Sequence, residues 1–388
     1  MKRTWVVAFM AVMCASAWGA EKVTVDPVRY SNEYRFKATN DQFTFIFGTT
    51  HLEVKLAQLT SPDSTQLDFS ADAIFVSAVD SLTVKPNSKP VRIFIEGTGT
   101  TLEEIITFVE PQRDTLKFEL LKNYPMRAQS TLKEKREFSY AQLTDTNLVA
   151  LRKSFDLDAV AGNGSEVERI IDLMHWVHTR IRHDGNTPNP LPNPRNAVNI
   201  IAVADRENWG MNCRMLATVL NECYLAMGFQ SRHLTCLPFD INDQDCHVVN
   251  MVWSDSLRKW LYMDPTNDAY FTNTAGVILS PWEIRTAMAG GDSLVLPEEI
   301  NWNGQRQNPV DYMNYMAKNL FRFECPQVSA YGYESWPGTR YYISLNPTDY
   351  DPGKQTSTKA ESPAPGTSTL DEVVTDDPAV FFAAPRER

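Results

Sequence analysis

Gly210-Met211-Asn212-Cys213 opens an amphipathic run in which Leu216, Val219, Leu220, Cys223 and Met227 recur at helical intervals, and Gly228 stands just past its end. Apolar residues at three- and four-residue spacing, closed by a glycine, predict a helix from about Arg214 to Met227. Cys213 therefore sits at a helix start, where free backbone N–H groups and the positive end of the helix dipole stabilise a thiolate. Three strand-like runs follow, at 229–236, 246–253 and 259–264. His247 lies in the second, 34 residues after Cys213, and Asp264 ends the third, 17 residues further on. Helices followed by antiparallel strands predict an α+β domain.

Cys, His and Asp are the types needed for a thiolate, a general base that later acts as acid, and a carboxylate that orients the imidazole. A turn centred on Asp255-Ser256 pairs residues whose numbers add to 511, which sets His247 opposite Asp264 on one sheet face, Val249 opposite Tyr262 and Met251 opposite Trp260. Cys236 and Cys246 lie symmetrically about Ile241, so a hairpin centred there sets them across from each other for a disulfide. Cys213 is then expected among the free thiols, since five cysteines follow the leader and one must stay unpaired. Trp209 and Asn208 precede the glycine and are candidates for the substrate site, Asn208 adding an oxyanion donor to the Cys213 N–H.

Other polar groups have blander readings. Cys223 falls on the apolar stripe of its helix and reads as core. His175, His178 and His183 lie close in sequence but lack a carboxylate or thiol at metal-ligand spacing, so no metal or other cofactor is expected. Asp240, Asn242, Asp243 and Asp245 lack the calcium-loop pattern and read as a solvated hairpin loop.

The Gly-to-Cys helix start, the strand histidine and Trp260-Leu261-Tyr262-Met263-Asp264-Pro265-Thr266 together resemble the transglutaminase-like superfamily over about residues 165–270. The resemblance implies a papain-like core, helices packed on an antiparallel sheet, with Cys213, His247 and Asp264 as the triad. It departs from the animal cross-linking enzymes, which carry Trp directly after the Cys where this chain has Arg214. The branch it looks like is the bacterial exported one, for which hydrolysis of amides is expected in place of protein joining. The substrate is then a peptide, protein or cell-envelope amide. The alternative is a non-catalytic module that binds a peptide or glycan in the same cleft, lined by Trp209 and a proline loop.

Outward from this centre, Ser165 and Glu168 form a capping-box pattern ahead of Val167, Ile170, Ile171, Met174, Val177 and Ile181, which predicts a helix over about 166–182. Pro188, Pro190, Pro192 and Pro194 favour an extended surface loop, after which Asn196 caps a short helix. Short β-rich runs at 43–47, 52–59, 74–79, 91–96, 104–109 and 115–120, separated by turn clusters, predict a β-sandwich. The expected organisation is a signal peptide over 1–20, a sandwich-like domain over 21–130, the catalytic domain over 140–290, an extension packed on the core over 291–350, and a largely disordered acidic, Pro/Ser/Thr-rich tail over 351–388. Val380-Phe381-Phe382 could fold back as a final anchor.

Lys2 and Arg3 precede an apolar run and small residues, the pattern of an export signal, so a periplasmic or extracellular location is expected. Cys14 follows Met13 instead of a small residue, which argues against lipid anchoring. No later stretch reaches the roughly 18 apolar residues of a membrane span. With 37 basic against 48 acidic residues the net charge of -11 repels phosphate backbones, so nucleic acid is not an expected partner.

Overall fold

The computed structural model describes residues 32–47, 50–59, 63–68, 72–87, 89–109, 113–126, 137–187, 191–355 and 368–385. The expected leader, and Pro188 and Pro190 of the proline loop, lie outside these residues. The chain divides into two compact units, the first holding the described residues through Arg113 together with Gln305–Tyr312.

Alternation with period two builds the first unit. Its strands are β1 (Asn32–Lys37), β2 (Gln42–Phe47), β3 (Thr50–Lys55), β4 (Asp63–Asp68), β5 (Ala73–Val76), β6 (Ser81–Val84), β7 (Val91–Glu96) and β8 (Thr101–Val109). They form two four-stranded sheets, ordered β1-β7-β8-β4 and β3-β2-β5-β6. In β7 Val91, Ile93 and Ile95 are buried, and in β2 Phe43 and Phe45 are, each worth about 1.5–3 kcal/mol of apolar burial. Phe36, Phe43, Phe45 and Phe75 meet with ring centroids 5.1–5.8 Å apart, so both sheets share one core.

The run at 115–120, expected as a further strand, is instead the start of helix α1 (Thr115–Asn123). Phe118 and Leu121, three residues apart, are its buried positions while Leu116 is exposed, and Asp114 pairs with Lys117 one turn on at 3.0 Å. Helical spacing outweighs local β propensity there. The helix belongs to the second unit, so the boundary lies at Arg113 and not near residue 130.

The second unit carries α2 (Thr146–Ser154), α3 (Glu166–Arg180), α4 (Ala197–Glu207), α5 (Cys213–Ala226), α6 (Pro281–Gly290) and residues 313–319 of α7 (Pro309–Asn319). The Ser165 hydroxyl accepts from Glu168 N–H while the Glu168 carboxylate accepts from Ser165 N–H, and the Asn196 side chain accepts from Asn199 N–H. These caps fix the starts of α3 and α4. Helix α5 is buried from Met215 through Ala226, as a helix enclosed by α2, α3, α4 and a sheet must be.

That sheet runs β11-β10-β9-β12-β13-β14, with β9 (Ser231–Leu237), β10 (His247–Ser254), β11 (Lys259–Met263), β12 (Arg322–Pro326), β13 (Gly338–Leu345) and β14 (Ser368–Thr375). Its neighbours are antiparallel except β13 and β14, which are parallel. Residues 291–350 thus supply two strands of the sheet where an extension packed on the core was expected. Of the tail expected to be disordered, residues 368–375 form β14 and residues 356–367 lie outside the described residues, while the anchor expected at Val380-Phe381-Phe382 is a last turn, α8 (Pro378–Phe381), whose Phe381 is fully buried. Composition misjudges this segment because β14 is held by backbone pairing along its whole length, Gly338↔Ser368 through Leu345↔Thr375, which needs few apolar side chains.

Both site hairpins depart from the expected registers. In β10 and β11 paired numbers add to 513, as in Asn250↔Met263, and not to 511. The turn is displaced because the Glu166 carboxylate accepts from the N–H groups of Asp255 and Ser256, each at 2.8 Å, which holds them out of a tighter hairpin. In β9 and β10 the numbers add to 483, so Cys236 faces His247 and not Cys246, and both cysteines are free. The cross-strand bridge that a hairpin centred on Ile241 would allow is therefore not formed. Among the described residues no helix is long and apolar enough to cross a membrane.

Candidate active site

The Asn212 side chain caps α5 by accepting from Met215 N–H at 3.0 Å, which leaves Cys213 as the first helical residue, half-buried. The strand-like segment around His183 lies against it: Met211 N–H donates to Arg182 O at 2.8 Å and Asp184 N–H to Met211 O at 2.9 Å. Gly210 permits this approach. A β-carbon there would stand 2.5 Å from Asp184 Cβ and 3.2 Å from Arg182 O. The glycine serves close packing here, not a turn.

His247 opens β10, and its Nε2 lies 2.7 Å from Asp264 Oδ2 just beyond β11, with both side chains buried. Asp264 is saturated with donors. Its Oδ1 accepts from Thr266 N–H at 2.8 Å, and its Oδ2 also accepts from the Asn267 side-chain amide at 2.9 Å. With Nε2 turned to Asp264, the other ring nitrogen of His247 is the one left for the Cys213 thiol, to which the ring is hydrogen-bonded. A second imidazole, His183, also hydrogen-bonds the thiol.

The electrostatics follow from this arrangement. Burial opposes ionisation of Cys213, but the hydrogen bonds from His183 and His247 outweigh it and bring its pKa down to about 6. Burial likewise disfavours the His247 imidazolium, and the Asp264 charge and hydrogen bond overcome it, holding that ring well above the usual histidine range. A thiolate beside an imidazolium is therefore the favoured state near neutrality. The other four described cysteines go the opposite way: burial pushes Cys325 up to about 11 and raises Cys223, Cys236 and Cys246.

The remaining residues singled out in the sequence go elsewhere. Asn208 is exposed and ends α4 in a left-handed conformation, φ 54°, its N–H bonded to Ala204 O. Trp209 packs, partly buried, on the helical core. Arg214 bonds Thr235 Oγ1 at 3.0 Å and lies 3.6 Å from the buried Glu334 carboxylate, so it pins the helix start to the sheet. His175 pairs with Asp268 at 2.8 Å. His178 places Nδ1 3.1 Å from Pro265 O and Nε2 2.7 Å from Asn301 Oδ1, bracing the loop that follows Asp264. Lys318 ties down Asp243 and Asp245 in the β9–β10 loop.

Sequence reasoning missed three contributors. Asn267 buttresses Asp264; Tyr315 sets its ring 5.4 Å from that of His247, forming a wall of the site; and His183 joins Cys213 through a contact that no sequence spacing announces. The Gly210 side chain that is missing is the one local sign of it.

No curated protein matches the chain. Among solved structures it is similar to a candidate cysteine protease from Cytophaga hutchinsonii (TM-score 0.25, 13% identity, 42% of this chain and 57% of that one). It is also similar to red sea bream transglutaminase (TM-score 0.24, 11% identity, 63% of this chain and 50% of that one). The chain thus covers between half and three fifths of the length of these structures. Residues 153–265, which hold Cys213, His247 and Asp264, match the family model described as the transglutaminase-like superfamily. That segment is a transglutaminase-like superfamily domain.

Proposed function

We propose that this chain is an exported cysteine enzyme that cleaves amide or peptide bonds through a thioester on Cys213, with hydrolysis as its outcome in preference to protein cross-linking. The observation that carries this reading is the buried 2.7 Å contact between His247 and Asp264 beside a thiol whose pKa is brought down to about 6. In the proposed reaction the thiolate attacks the carbonyl carbon, a C–S bond forms, and the π electrons move onto oxygen. The adduct collapses, the C–N bond breaks, and the His247 imidazolium protonates the departing amine. His247, now neutral, takes a proton from water as it attacks the thioester, and the thiolate leaves. The balance is amide plus water to carboxylic acid plus amine, which ionise to carboxylate and ammonium. Asp264 holds the ring and its charge throughout.

Arg214 in the position after the nucleophile supports the hydrolytic outcome, as does the resemblance to the bacterial exported branch. Lys2, Arg3 and the apolar run after them support export. The test is labelling by iodoacetamide and, on separate unlabelled protein, incubation with peptide amides and weighing of Cys213 peptides. Rapid labelling that is lost in His247→Ala, with an acyl adduct that turns over in water, is the expected result. Labelling at the rate of a free thiol, with no adduct, leaves a binding module instead.

A further inference from the structure

Resting on that reading, we infer that His183 is a second catalytic histidine with a different task from His247: it donates its Nε2 proton to the carbonyl oxygen that becomes negative, completing an oxyanion hole with the Cys213 backbone N–H. The argument begins with Trp302. An indole N–H can only donate, and Trp302 Nε1 lies 2.8 Å from His183 Nδ1, so Nδ1 is an acceptor and the ring carries its proton on Nε2. Nδ1 being occupied, Nε2–H is the group available to the Cys213 thiol. A ring fixed in this tautomer is a donor. For it to serve as the base, Nε2 would have to be the unprotonated nitrogen, and a proton on Nδ1 would then face the Trp302 N–H. His247 has the opposite arrangement, a carboxylate on its far nitrogen that favours gaining a proton.

Position supports the same role. Asn303 grips the His183 main chain from both sides, its Oδ1 accepting from His183 N–H at 2.7 Å and its Nδ2 donating to His183 O at 2.9 Å. Two adjacent residues, Trp302 and Asn303, thus fix both the ring's tautomer and the backbone beneath it, while the Met211 ladder and the bare Gly210 hold the segment against the start of α5. Preorganised donors of this kind contribute most where charge develops in the transition state. Asn208, the donor expected from sequence, is exposed at the end of α4.

The test compares two reactions at Cys213. Alkylation by iodoacetamide displaces iodide and forms no oxyanion, whereas acylation by p-nitrophenyl acetate passes through one. Measured for each variant on the plateau of its own iodoacetamide pH profile, where the thiolate is fully formed, His183→Ala should slow acylation by about 10²-fold and leave alkylation within about threefold. His183→Gln, which restores an N–H donor, should recover a large part of the loss. Trp302→Phe, which frees the tautomer, should give a smaller loss in acylation alone. Equal losses in both reactions would make His183 merely structural, and unchanged acylation in His183→Ala would remove it from the chemistry; either overturns the inference while leaving the triad standing. A wild-type chain whose Cys213 neither acylates nor alkylates faster than a free thiol overturns the triad reading and this inference with it.

Discussion

Asp264 meets His247 on a diagonal. The register that pairs Asn250 with Met263 continues to put Asp264 opposite Val249, yet its Oδ2 lies 2.7 Å from His247 Nε2, two positions along β10. Diagonal neighbours on one sheet face remain within reach of a long or planar side chain, and the ring of His247 spans the gap. Thr266, Asn267 (main chain and side chain) and His247 each place a donor against the Asp264 carboxylate. Asp264→Asn turns an NH2 group against two of them. It should cost about 1–3 kcal/mol in chemical denaturation and slow acyl-enzyme turnover by about 10²–10⁴-fold. A variant of wild-type activity would detach Asp264 from the mechanism.

The same diagonal explains what the sequence could and could not disclose. The β10–β11 pairing sits two residues from the register expected on turn placement, and because side chains alternate with period two, an even slip keeps His247 and Asp264 on one face. The β9–β10 pairing sits one residue away, an odd slip, and that sufficed to separate Cys236 from Cys246. Two helix starts were legible because Ser165 and Asn196 carry their own capping chemistry. His183 was not, since its place beside Cys213 is made by Met211, Trp302 and Asn303, which are distant in sequence and carry no spacing rule.

Reactivity of Cys213 should rise through a pH of about 6. The thiolate is the reactive form, and hydrogen bonds from His183 and His247, acting against burial, bring the pKa to about 6. A lowered pKa means that reactivity is present above that pH and lost as pH falls through it. The iodoacetamide rate at Cys213 should therefore level off by about pH 7, whereas an ordinary thiol continues to gain up to its pKa of about 8.5. His247→Ala should move the midpoint upward. A wild-type midpoint near that of a free thiol contradicts the ion pair.

Gly210→Ala tests the close approach on which His183 depends. The added β-carbon would lie 2.5 Å from Asp184 Cβ and 3.1 Å from Asp184 N, and backbone on that side cannot rotate away as a side chain can. Overpacking of this kind costs about 1–3 kcal/mol. The segment bearing His183 should shift away from α5, so acylation of Cys213 falls more than its alkylation, as in His183→Ala. Equal stability and equal acylation would show that the segment yields without consequence.

The last segment of the chain should prove necessary to the sheet. Phe381 is fully buried, its carbonyl oxygen lies 3.4 Å from Arg232 Nη2, and Trp260 Nε1 donates to Phe382 O at 3.1 Å. Arg232 is itself fully buried, its guanidinium 3.5 Å from the centroid of the Phe138 ring and 4.7 Å from that of Trp260. Phe381→Ala removes a large apolar side chain and opens a cavity beside this cation, at a cost of about 3–5 kcal/mol. Truncation before β14 should do more, because it also unpairs β13 along Gly338–Leu345 and leaves Arg232 without one of its few acceptors. Since Trp260 begins the stretch that ends in Asp264, loosening there should reach the site: thermal unfolding of the truncated chain should fall well below wild type, and Cys213 alkylation should lose its low-pH advantage. A truncated chain with unchanged melting and unchanged pH profile would return this segment to the dispensable tail that its composition suggests.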